Sequence, residues 1–599
     1  MISTRYARLW RRAGLGLLCL FWAVAVQAGV SSDIFRDGFE PVESADEKAA
    51  RFLDQATFGG RLEDIAHLRQ IGTEAWLTEQ FAAPISLTQP YLDWVSQTEG
   101  VYWQARIEAW FMHAAQLADP REPTHEHRDQ LRQRVAFALS QIMVVSDRNA
   151  NLELQQWAMG SYQDLLARNA FGNFRTLLEE VTLHPAMGKY LSMLGNRKFN
   201  AALNIRPDEN YAREILQLFS VGLVRLNPDG TVQDGDPNTA GVQPIPTYDQ
   251  NVVRGFAHVF TGWNFLNCSQ AEFEANEDCA PGNPYEEEWF SPMVPFEALH
   301  DNTTAKQLLN YPGVTLPNGV LAAGGNATQE LDAALDNIFN HPNVGPFIGK
   351  QLIQRLVTSN PSPAYVGRVA AVFNNNGQGV RGDLRAVVRA ILIDDEARNG
   401  HVGSTTFGKL REPALHLVRL FRVTDARSVN GRVFLYSHPD EEYGQRPLSA
   451  PSVFNFYKPD FAAPGEIRNA GLVSPEFQIA TDTHLVSVPN ELDFRLFVYY
   501  VGSACSIAQD PEETLMDYGP LRVLAANPAS LVDHLDLVMM SGSMSSAMRE
   551  LLITRLNGTV PDSVSCAPAG LTAAQRRDLW RVQQALYLIT NSPEFNIQK

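Results

Sequence analysis

Two short stretches hold the residues best suited to chemistry. The first, PDENYAREILQLFSVGL at 207–223, sets Asp208, Glu209, Arg213 and Glu214 into an otherwise apolar helical pattern. The second, HDNTTAK at 300–306, places His300 beside Asp301 with Lys306 following. An imidazole next to a carboxylate supplies a general base, or two ligands for a divalent metal, with little rearrangement. In the first stretch most charges have a structural role. Pro207 suits a first helical position, Asp208 and Glu209 suit the positive end of the helix dipole, and Glu209 precedes Arg213 by four residues as a surface pair would. Glu214 has no such role. It flanks the apolar face of Tyr211, Ile215, Leu218 and Phe219, where a lone carboxylate is unfavourable unless water, His300, Lys306 or Arg213 reaches it. Glu214, His300 and Asp301 are therefore the candidate catalytic residues, expected around one polar cleft, with a divalent metal as a cofactor they would suit. The structural alternative is a hydrogen bond fastening the 264–299 insertion to the helical core.

Other motifs carry less. GQGVRG at 377–382 has the letters of a dinucleotide loop, but helical spacing of Val366, Val369, Ala370 and Phe373 precedes it, where that loop needs a strand. DGDPNTAG at 234–241 alternates Asp234, Asp236 and Asn238, yet Thr239 and Ile245 stand where a calcium loop needs glycine and glutamate. SGSMSS at 541–546 lacks the flanking glycines of a nucleophile elbow and reads as a break and cap between two helices. HEH at 125–127 reads as a solvated loop. VTLHPAMGKYL and IFNHPNVGPFI share an apolar-x-x-His-Pro spacing, so His184 and His341 are each expected at a corner between two helices. No cofactor-binding motif is legible.

The start of the chain points to export. Arg5, Arg8, Arg11 and Arg12 precede an apolar run from Ala13 to Val26 that ends Val-Gln-Ala, a signal peptide over residues 1–28. No later stretch offers the ~20 apolar residues of a membrane span. The formal net charge of −18 becomes −22 once those four arginines leave, because residues 1–28 contain no acid. Such a chain repels nucleic acid and anionic membranes. Cys268, Cys279, Cys505 and Cys566 remain, an even number for an oxidising compartment, and sequence order favours Cys268–Cys279 and Cys505–Cys566. The protein is expected in the periplasm or outside the cell.

Stepping along the chain, residues 29–46 read as a flexible acidic lead, and 47–597 as one family-length helical domain in one lobe or two. In 129–147, Leu131, Val135, Ala138 and Ile142 recur at helical spacing, and in 249–262 Val252, Phe256 and Phe260 do, with Thr247 and Gln250 as a capping box. Strand signals are confined to stretches such as LVRLNPDGTVQ, where Asn227-Pro228-Asp229-Gly230 is turn chemistry. The predicted fold is mainly α: a large multi-helix domain with short β-hairpins and long loop insertions.

NYAREILQLFSVGL, FAHVFTGW, the isolated His-Asp with its lysine, HPNVGPFIGKQLIQRLV, GVRGDLRAVVRAIL, KLREP, RPLSAPSVFNFYKPDF and ALYLITNSPEF occur in this order. Together they resemble the bacterial family called domain of unknown function 1800, from about Ala45 to Ile597. The resemblance implies a mainly helical exported protein, often encoded beside a second exported family that would be its protein partner, and it implies no activity. A Trp/His-rich run of some members is replaced here by FALSQIMVV at 137–145, so no metal site carries over from it. With no complete catalytic constellation in the residues, the expected role is binding, and the alternative is a secreted hydrolase or other enzyme built on Glu214, His300 and Asp301.

Overall fold

Apolar residues at three- and four-residue spacing become helices along most of the chain. The computed structural model describes residues 43–599 apart from 122–126, 277–278, 434–438, 506–512, 562–563 and 565. The expected signal peptide over residues 1–28, residues 29–42 of the expected lead, and His125 and Glu126 of the HEH motif lie outside the described residues. The fold is mainly α. Helix Gln130–Ser140 buries Leu131, Val135 and Ala138, and helix Gln250–Val259 buries Val252 and Phe256. Residues Ala45–Lys599 form one unit, with a contiguous apolar core reaching from Ala49 to Phe595. The helix Ala45–Ala56 starts two residues inside the expected lead. Helix His484–Phe497 escapes sequence reading because Pro489 interrupts its interior.

Among the described residues, strands form three antiparallel two-residue pairs: Trp263–Asn264 with Val294–Pro295, Lys306–Gln307 with Val320–Leu321, and Lys409–Leu410 with Ile597–Gln598. The arm after residue 223 folds back through single bridges, Leu226 to Val232 and Val224 to Pro246, around Gly230 with its φ of +77°.

Several motifs settle into structural duties. The backbone amides of the GQGVRG loop are already occupied: Asn375 Oδ1 accepts from Gly377 and Gly379 at 2.9 Å each, and Asn376 Oδ1 accepts from Gln378 at 2.9 Å. Asp234 and Asp236 accept from the amides of Asp236 and Asn238, both at 3.1 Å, so these carboxylates close a turn. Ser541 takes a left-handed φ of 58° and Ser545 caps helix Ser546–Leu556, as the break-and-cap reading requires. His184 and His341 each end one helical segment at a proline corner, and Nδ1 of each accepts a backbone amide two residues on, at 3.2 and 3.1 Å. Burial pushes both rings down to about 3. The expected Thr247–Gln250 capping box does not form. Asp249 caps that helix, and Thr247 Oγ1 instead donates to the Gly222 carbonyl at 2.5 Å.

Cys268 bonds Cys279 and Cys505 bonds Cys566, with Cα–Cα separations of 5.2 and 5.0 Å. No helix among the described residues is long and apolar enough to cross a membrane. The two disulfides fit a non-cytoplasmic protein.

Candidate functional site

The charged helix starts later than its sequence suggests. It runs Asn210–Gln217, with Glu209 as the cap residue and Pro207 outside it. The reason is tertiary. Asn196 Oδ1 accepts the Asp208 amide at 2.8 Å, pinning the chain before the helix begins. Asp208 Oδ1 then accepts from Asn210 N at 2.7 Å. Arg213 pairs with Glu209 at 2.5 Å as expected and also donates to Gln250 at 2.9 Å. Glu214 is 9 % exposed, and its Oε2 has no hydrogen-bond partner. Burial raises its pKa, opposed in part by the charge of Arg213. Its charge is felt by Tyr190 and Tyr248, whose hydroxyls rise to about 12 chiefly through burial.

His300 and Asp301 are brought to a different neighbourhood, around Thr261. His300 is fully buried, with Nδ1 donating to the Thr261 carbonyl at 2.9 Å and Nε2 3.0 Å from Glu330 Oε2. Both ring nitrogens face oxygen acceptors. Lys306 Nζ lies 2.6 Å from the same Glu330 oxygen, at 2 % exposure. Asp301 turns to another imidazole, His258, whose Nδ1 is 2.5 Å from Asp301 Oδ2. Thr303 and Thr304 also donate to Asp301, and the three side chains outweigh burial to hold its carboxyl well below the usual range. No hydrogen bond or ion pair links Glu214 to His300 or Asp301. Each cation or imidazole that sequence offered to Glu214 is engaged elsewhere.

The fit of this region to its helix is close. An added Cβ at Gly255 would fall 1.9 Å from the Gln307 carbonyl oxygen, and one at Gly262, with φ +84°, would fall 2.8 Å from the His300 nitrogen. Glu330 and His258 were missed in sequence. Glu330 had a signal, since it stands on the buried face of helix Ala327–Phe339 beside Leu331 and Ala334. Among the described residues, the one trio with metal-ligating atoms close together is Cys268, Glu272 and Cys279, and both sulfurs there are spent in a disulfide.

A second site is assembled from segments to which sequence reading gave no joint role. Helix Val344–Leu356, the loop 453–460, the end of the Glu214 helix and the 223–232 arm enclose a groove of about 500 Å³. Phe347, Leu226, Val232 and Phe454 supply apolar walls. Gly222 takes φ +73°, and a Cβ there would meet the Phe347 ring at 2.8 Å, so the arm can leave the helix only through glycine. The floor is polar. Arg355, 2 % exposed, donates through its outer nitrogens to the carbonyls of Gln351 at 3.1 Å and Gln141 at 3.0 Å, while its Nε has no partner. Gln351 Nε2, Gln354 Oε1 and Asn455 Nδ2 are also buried without partners. Asn455 holds a left-handed φ of 65°, a conformation asparagine tolerates.

Behind this floor lies a buried network of charged and amide side chains. Tyr457 donates to Gln141 Oε1 at 3.0 Å, Gln141 and Gln445 donate to Glu412, and Lys409 Nζ lies 3.0 Å from Glu476 and 3.5 Å from Glu412. Burial would raise both carboxyls. Lys409, Arg134 and the amide donors hold Glu412 low, whereas burial prevails at Glu476. The network holds Tyr457, Gln141 and Arg355 in place, because Lys409 also donates to the Arg355 carbonyl at 2.8 Å.

No curated protein and no solved structure matches the chain. A family model does, and it spans both the Thr261 cluster and every segment of the groove. Through that match over residues 51–597, the chain belongs to the family described as protein of unknown function, DUF1800.

Proposed function

We propose that the protein acts by binding a ligand in the groove between helix Val344–Leu356 and the 453–460 loop, in the periplasm or outside the cell. One observation supports this reading above others: beneath apolar walls, buried polar atoms of Gln351, Gln354, Arg355 and Asn455 have no partner within the protein. Buried polar groups are normally hydrogen-bonded, and a cavity of this size with a few convergent polar groups is the usual form of a small-molecule site. The test is a neutral solvatochromic dye. It should bind saturably at one site, and Val232→Trp and Phe454→Ala, both at partly exposed wall positions, should weaken it at least fivefold without moving the melting temperature. Unsaturable binding, or binding indifferent to both variants, would overturn the proposal.

A second reading, a hydrolase or other enzyme, has one observation in its favour: the pairing of buried Asp301 with His258, whose side chain is 27 % exposed. A carboxylate orienting an accessible imidazole is the arrangement of a general base. Substrate turnover lost in His258→Gln and kept in the groove variants would support it.

A further inference from the structure

We infer that the groove takes an amphipathic carboxylate, a singly charged acid head on an apolar body; this rests on the binding role proposed above. The unpartnered floor atoms are unequal in kind. Arg355 Nε is a donor and Gln354 Oε1 an acceptor, while Gln351 and Asn455 make no side-chain hydrogen bond, so each amide is free to turn its NH2 towards a ligand. The Gln354 orientation follows from its Nε2, which donates to the carbonyls of Ser359 at 3.1 Å and Pro459 at 3.0 Å. One fixed guanidinium donor and two amides free to present theirs suit a ligand rich in acceptors.

Charge points the same way. In a chain whose formal net charge is −18, Lys350, Lys458 and Arg355 line the groove against the single acid Asp460. A cationic head would meet these like charges. A neutral body alone would bury the donors unpaired. A phosphate monoester brings close to two charges and three acceptor oxygens, more than one guanidinium nitrogen and two amides satisfy. A carboxylate brings one charge and two oxygens. The walls serve the rest of the molecule: Phe347 and Phe454 face the groove, and Lys458 Nζ sits 4.8 Å from the centre of the Phe454 ring, bringing positive charge against the apolar wall.

The experiment compares four ligands with the same ten-carbon body on the full exported protein near pH 7.5: decanoate, decan-1-ol, decylamine and decyl phosphate, read by displacement of the neutral dye. Decanoate should bind at least tenfold tighter than decanol, decyl phosphate should fall between them, and decylamine should be weakest. Asn455→Asp keeps a residue that tolerates the left-handed backbone and turns a donor into a like charge, so decanoate should lose at least tenfold while decanol is unchanged. Lys458→Gln serves as the second variant, should Asn455→Asp fail to fold, and should cost decanoate about threefold by removing one cation beside the head. Equal binding of decanoate and decanol would overturn the carboxylate inference and leave the binding role standing. Tightest binding by decyl phosphate or decylamine would overturn the ligand class. Binding of none of the four, with the dye itself unbound, would remove both readings.

Discussion

The Thr261 cluster and the groove floor bury similar polar groups and differ in whether the donors find acceptors, although Glu330 Oε1 stays unpartnered within the cluster. Around Thr261, one Glu330 oxygen serves both His300 and Lys306, and Asp301 takes His258, Thr303 and Thr304. The donors there are matched to acceptors supplied by the same chain. On the groove floor, Arg355 uses two nitrogens on carbonyls and leaves the third unpaired beside two unpaired amides. A reactive residue type is therefore a weaker sign of a site than an unmet hydrogen-bonding requirement. Histidine, aspartate and lysine can serve as fasteners, while glutamine and asparagine at the base of an apolar groove can await a ligand.

The largest expected effect tests the closed cluster. Glu330→Ala should leave Lys306 buried without a counter-charge and cost about 3–5 kcal/mol, the usual consequence of breaking a buried pair. Denaturant unfolding would measure it, and a loss below about 1 kcal/mol would break the contrast by showing that the cluster carries little of the fold.

Glu214 stands between the two cases, buried like the first and unpaired like the second. Its folded pKa lies above the unfolded value, so ionisation penalises the native state as pH rises, and the penalty is absent at pH values below the unfolded pKa. Glu214→Gln should then stabilise by about 1 kcal/mol near pH 8, with the difference shrinking towards pH 4, measured as paired melting curves across pH. A rise in melting temperature on adding zinc or calcium that this variant abolishes would instead favour a metal-using site.

The smallest effect belongs to the groove. Gln351→Leu removes an unpaired amide while keeping the backbone carbonyl that Arg355 uses. Stability should stay within about 0.5 kcal/mol of wild type, since an unmatched polar group is replaced by an apolar one of similar size. A loss of several kcal/mol would mean that the floor is as self-sufficient as the Thr261 cluster.

Local information accounts for what was legible. Helical spacing located Gln130–Ser140 and Gln250–Val259, and the His-Pro corners and the serine break followed from backbone restrictions that act within a few residues. The Asn210 start and the Asp249 cap were misplaced because their deciding partners, Asn196 and the Gly222 carbonyl, lie 12 and 25 residues away. The candidate triad was chosen by residue type, and type does not reveal that His300 is committed to Glu330 or that Asp301 serves His258.

The sequence alone determined the helical class, the paired cysteines, the acidic balance and the likeness to a family, since each depends on composition, short-range periodicity or the order of recognisable segments. Tertiary structure decided which charges are partners. Glu330 approaches His300 across 30 positions, and Lys409 approaches Glu476 across 67. It also decided where partners are missing, as at Arg355 Nε. Hydrogen bonds and ion pairs depend on distances of about 3 Å and on angle, and those distances arise only when helices remote in sequence pack against one another.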